Sequence, residues 1–113
     1  MKYLLILMMI LIFGSCTLQK EAFVFVDSKK EGRTLEGFYF LDVTVKNSGE
    51  QPAYYVILIS QVFLKGKEIQ RIEKGYGDLF PGSTKEMRLI FEKLGNSDPE
   101  SVGLKLTYSP FNI

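Results

Sequence analysis

The chain has 113 residues, 46% of them hydrophobic, with 14 Lys and Arg against 13 Asp and Glu, no histidine, no tryptophan and a single cysteine. Balanced charge argues against nucleic-acid or other polyanion binding, which needs a basic patch. Without histidine there is no Ser-His or Cys-His nucleophile and no zinc site built on those ligands, and one cysteine leaves a packed core rather than disulfides to hold the fold.

The N-terminus reads as a signal. Lys2 precedes an unbroken apolar run over residues 3–13, and Gly14-Ser15 leads directly into Cys16. A basic start, an apolar stretch and a small cleavage site define a secretory signal peptide. Eleven helical residues span roughly 16 Å, short of the ~30 Å hydrocarbon core, so this signal helix does not serve as a permanent single-span anchor.

Ile12-Phe13-Gly14-Ser15-Cys16 resembles the lipobox of bacterial lipoproteins, with Phe13 where the family usually has leucine. The resemblance implies that the Cys16 sulfur receives a diacylglycerol and that the signal is cut just before it. An ordinary cleaved signal would instead leave Cys16 an exposed thiol, open to intermolecular pairing in an oxidising compartment. Two or more acyl chains hold a protein stably at a membrane. Thr17, not aspartate, follows the cysteine, which by resemblance to enterobacterial sorting implies the outer membrane where the host has two membranes. Residues 1–15 are then the signal peptide, 16–21 the lipidated cysteine and a short tether, and 22–113 the domain. Losing fifteen of 113 residues leaves 98, room for one small core. With Lys2 gone, thirteen basic residues face thirteen acidic ones.

From residue 22 onward, short runs of β-branched and aromatic residues separated by Gly, Asn, Asp, Ser and Pro predict strands and no helix. The first covers 22–27, with Phe23 and Phe25 on one face and Val24 and Val26 on the other; the polar stretch 28–33 reads as its loop. The second, 35–46, sets Tyr39, Leu41, Val43 and Val45 against Phe40, Asp42, Thr44 and Lys46, so one face is core and the other mostly wet. Residues 47–52 supply a turn through Asn47 and Gly49, which predicts antiparallel pairing with a third strand at 53–65. That strand is apolar on both faces as far as Ile59, and its first half is expected to be the most buried segment. Lys65-Gly66-Lys67 reads as a hairpin turn into a short polar edge strand near 68–73. Residues 74–84, with three glycines and Pro81, read as the longest irregular stretch. Met87, Leu89 and Phe91 then mark the inward face of a fifth strand. After a turn at 95–99, Val102, Leu104, Leu106 and Tyr108 share one face of the last. Six or seven short strands predict an all-β fold, a small antiparallel immunoglobulin-like β-sandwich.

Residues 39–91 resemble bacterial FxLYD-type domains, small immunoglobulin-like sandwiches of secreted and lipid-anchored proteins. Three pieces carry the likeness: the strand and turn 41–47, the hairpin 62–67 with Lys65 where the family's aspartate would stand, and Leu79-Phe80-Pro81-Gly82-Ser83 before the fifth strand. The resemblance implies a module for display or interaction, with no shared enzymatic activity.

Asp42 and Glu36 have the spacing of outward-facing strand residues, Asp98 and Glu100 lack the ligand density of a calcium loop, and Gly75-Tyr76-Gly77 has no phosphate-binding signature. No enzyme, metal site or cofactor is expected. The candidate binding residues are aromatic: Tyr76 and Phe80 in the irregular stretch, and Tyr54 and Tyr55, which cannot both face the core. Phe80 is expected to fold inward with Leu79 as a plug at an open end of the sandwich. Tyr76 suits either a half-buried or an interface position. The expected function is a lipid-anchored, non-enzymatic module that binds a membrane-proximal envelope protein; the alternative is capture of a glycan or small ligand in an aromatic cleft. The oligomeric state is left open.

Overall fold

The computed structural model describes residues 21–112. The expected signal peptide and lipidation site, residues 1–16, lie outside the described residues. Six strands follow one another: β1 (Val24–Arg33), β2 (Tyr39–Asn47), β3 (Ala53–Leu64), β4 (Lys67–Leu79), β5 (Thr84–Phe91) and, after a 3-10 turn at Glu92–Leu94, β6 (Ser101–Ser109). They form two three-stranded sheets, β1-β2-β5 and β4-β3-β6, with every pair antiparallel. The sheets pack face to face as a small all-β sandwich.

Alternation explains the packing. Leu41, Val43 and Val45 from β2 meet Leu89 and Phe91 from β5 on the inner face of the first sheet. Val56, Leu58 and Val62 from central strand β3 supply the inner face of the second, and all three are fully buried. Val102, Leu104, Leu106 and Tyr108 line one face of β6, half-buried against this core. A strand's period of two puts every second side chain on the same face, so these apolar sets can be inward only together.

Four expectations are corrected. Residues 28–33 are not a loop: β1 runs through Arg33, pairing Ser28 with Thr44 and Arg33 with Tyr39 after a bulge at Asp27. Their polarity reflects an edge strand, where charged side chains deter pairing with other chains. Strand β2 accordingly begins only at Tyr39, and Leu35, Glu36 and Gly37 belong to the hairpin turn before it.

Second, β2 and β3 do not pair. The segment after Asn47 carries the chain from one sheet to the other, and β2 takes β5 as its neighbour instead. Third, β4 continues to Leu79 through much of the expected irregular stretch. A register shift opposite Val56 and Ile57 leaves Tyr76 as a bulge between Gly75 and Gly77, which turns its ring inward. Fourth, β3 is buried on one face only, since Tyr55 and Ile57 are exposed on the other. That outer face meets solvent because no third layer covers the sheet.

The Lys65-Gly66 hairpin forms as expected. Leu64 pairs with Lys67, and the two turn residues take φ of 52° and 75°, the left-handed pair of a type I′ turn that matches strand twist.

Strand directions define two ends. The start of β1, the ends of β2, β4 and β6, and the starts of β3 and β5 gather at the end where the described chain begins at Glu21, called the tether end after the tether expected at residues 16–21. The 34–38 turn, the 92–100 connection and the Lys65-Gly66 hairpin lie at the opposite, distal end.

Candidate functional site

The tether end is organised by Asn47. Its side chain is fully buried and satisfied at every position: Oδ1 accepts from the backbone N–H of Phe23 (3.1 Å) and Gly49 (2.9 Å), and Nδ2 donates to the carbonyls of Gln51 and Leu79 (2.9 Å each). Its own backbone completes the clamp, with Asn47 N–H donating to Ser83 O and Gly82 N–H to Asn47 O. One amide thus ties together the start of β1, the corner between the sheets, the end of β4 and the start of β5. Gly49 is required beside it, because a Cβ there would stand 2.1 Å from the Glu21 carbonyl oxygen.

The aromatic candidates separate. Tyr76 lies in the core, and its hydroxyl donates to Val43 O at 3.1 Å; burial, reinforced by the charge of Glu86, pushes its pKa up to about 12. It is not displayed. Leu79, not Phe80, is the inward plug: Leu79 is fully buried while Phe80 is exposed, because Gly82, at φ +78°, and the Ser83 N–H to Phe80 O bond (3.0 Å) turn the loop outward after β4. Tyr54 is half-buried opposite Ser109 of β6. Tyr55 points out from a bulge with φ +53°, a backbone conformation that bulky residues adopt only where surrounding contacts impose it. Its hydroxyl donates to Asn112 Oδ1 (3.1 Å).

Phe80 and Tyr55 therefore share the tether end, where exposed Phe23 and Phe111 join them; from sequence, Pro110-Phe111 was expected to cover whichever of Tyr54 and Tyr55 faces outward, yet Phe111 is itself exposed. The available signal was alternation, which set Phe23 on the face opposite inward Val24. Phe111 follows the last strand and carries no periodic signal.

Charged groups sit elsewhere. On the outer face of the first sheet, Arg88 forks onto Asp42 (2.8 and 3.0 Å) with its guanidinium 3.9 Å from the centroid of the Phe40 ring. Those hydrogen bonds hold the Asp42 carboxyl below its usual range. At the distal end Arg33 pairs with Asp98 and donates to Gly37 O and Gly95 O, locking the two connections together. Asp98, weighed and set aside as a calcium ligand from sequence, is bound to an arginine. Among the described residues no three His, Cys, Asp or Glu side chains converge as metal ligands would.

Shallow hollows mark the surface of the described residues. One of about 280 Å³ lies along the seam between Leu41 and Val102, and another of about 350 Å³ beside it is lined by Arg33, Tyr39 and Asp98. A third, about 510 Å³, lies at the tether end between Phe23, Gly49 and Tyr108. None is lined by Tyr54, Tyr55, Tyr76 or Phe80. Comparison with protein-family models finds no match, and comparison with curated proteins finds none either.

Proposed function

We propose that this chain is a lipid-anchored envelope protein whose sandwich, immunoglobulin-like and of the FxLYD type, acts as a non-enzymatic interaction module for a protein partner near the membrane. The observation that carries the reading is the sequence pattern of residues 1–16: one lysine, eleven apolar residues, two small residues and the chain's one cysteine. Only residues 17–21 separate that cysteine from the sandwich, and five extended residues reach at most roughly 18 Å. Such a tether keeps the domain close to the bilayer and aims its distal end away from it.

Leu35, fully exposed at the tip of the β1–β2 hairpin, is the apolar feature of that distal end. A single exposed leucine needs no partner to explain it, but its place at the tip makes position 35 the one from which a partner beyond the distal end would be reached. Ligand capture has less support, since Tyr76 is part of the core and the three hollows are not lined by the candidate aromatics. The test is photocrosslinking in cells from a benzoylphenylalanine at position 35. A discrete protein adduct that disappears in the Cys16→Ser background is expected; recovery of free monomer alone, under several growth conditions, contradicts the reading.

A further inference from the structure

The aromatics exposed at the surface are unevenly placed. Phe23 (58%), Tyr55 (49%), Phe80 (61%) and Phe111 (65%) are the strongly exposed aromatic side chains among the described residues, and all four lie at the tether end. The other exposed large apolar residues are aliphatic: Leu35 at the distal tip, Ile57 and Ile90 on outer sheet faces. Four exposed rings set around one end, from both sheets and the C-terminus, give that end an apolar rim that the distal end lacks.

The mounts of these rings are ordered. Phe80 sits on a turn closed by Ser83, Tyr55 is bonded to Asn112, and Phe111 N–H donates to Ser109 Oγ at 3.1 Å. Phe23 N–H is held by the Asn47 clamp. The rings are presented on a fixed frame, so contact costs little ordering of the chain. Charge does not favour one sign of surface there, because Lys46 and Lys85 share the end with Glu21, Glu50 and Asp78.

We infer that Phe23, Tyr55, Phe80 and Phe111 form a rim that rests in the interfacial layer of the bilayer holding Cys16. The inference depends on the lipid-anchor reading, which places this end within roughly 18 Å of the lipidated cysteine. Tyrosine settles at the headgroup level through its amphipathic ring, and phenylalanine buries its ring at the headgroup–acyl boundary. The rim would fix the tilt of the sandwich on its short tether and leave Leu35 facing away.

The chain has no tryptophan, so Phe80→Trp, Phe111→Trp and Leu35→Trp each introduce a sole reporter. Each full-length variant is expressed in a bacterial host, extracted from membranes, weighed to establish acylation, and reconstituted into phosphatidylethanolamine–phosphatidylglycerol vesicles containing acyl-brominated lipid. Blue-shifted emission quenched at least about twofold is expected for Phe80→Trp and Phe111→Trp, unchanged by high salt, with Leu35→Trp emitting as in water. Acylated, vesicle-bound protein with both tether-end reporters unquenched overturns the rim while leaving the anchor intact. Equal quenching of Leu35→Trp overturns the orientation. A mass without acyl groups overturns the anchor reading, and the rim with it.

Discussion

Asn47 shows what a single buried amide does when every donor and acceptor is used. Removing it strands four backbone groups from Phe23, Gly49, Gln51 and Leu79, and each unsatisfied buried group is costly. The Asn47→Ala variant is expected to lose about 3 kcal/mol, read as a lower urea midpoint at unchanged slope; a loss under about 1 kcal/mol would mean water replaces the clamp. Sequence placed Asn47 in a turn, but it ends β2, paired with Val24 and without a positive φ; its bond to Leu79 spans 32 positions and leaves no local trace. From sequence Tyr76 suited a half-buried or an interface position equally, because its inward aim depends on a bulge set by register with β3. Its phenol stays protonated in the fold up to about pH 12, whereas the unfolded chain releases that proton near pH 10. The stability that it contributes is therefore complete below about pH 10 and is lost as pH rises toward 12. Tyr76→Phe should cost about 1 kcal/mol at neutral pH, through the lost bond to Val43, and should flatten the alkaline limb. Tyr39, also raised by burial, keeps some slope in that variant.

At the scale of elements, legibility follows environment. Strands β2, β5 and β6 were readable because one face is core and the other wet, the condition that writes alternation into sequence. The second half of β1 and the end of β4 were not: both mix Lys, Gly and acidic residues that also make loops, and neither carries the apolar alternation that β5 and β6, edge strands as well, do. Crossing from sheet to sheet after Asn47 was hidden because a turn signal states that the chain bends and not which strand it then joins. The β3–β4 hairpin was legible since Lys65-Gly66 is short enough to prescribe its own geometry. Gly66 at φ +75° gains from having no Cβ, so Gly66→Ala should destabilise by about 1 kcal/mol. Thermal unfolding measures it, and a neutral result would show that the turn relaxes to another type.

Across the whole molecule, the sandwich is a polarised object. One end receives the chain, is bolted by Asn47 and carries the exposed rings; the other is closed by Arg33 and Asp98 and ends in Leu35. Candidate site residues were partly legible for this reason: Tyr55 and Phe80 belong to the exposed set, Tyr76 to the core and Tyr54 between them, while Phe23 and Phe111 emerge only when the termini are brought beside the loops. On the proposed reading, function depends on which end of the scaffold would meet the membrane, and that rests on lipidation of Cys16. Intact mass of the protein extracted from membranes, compared with Cys16→Ser, tests the proposal most directly. The account predicts a detergent-phase species with the mass of the chain from Cys16 plus acyl groups, and a Cys16→Ser protein lacking them. A wild-type protein recovered soluble and unmodified would contradict it.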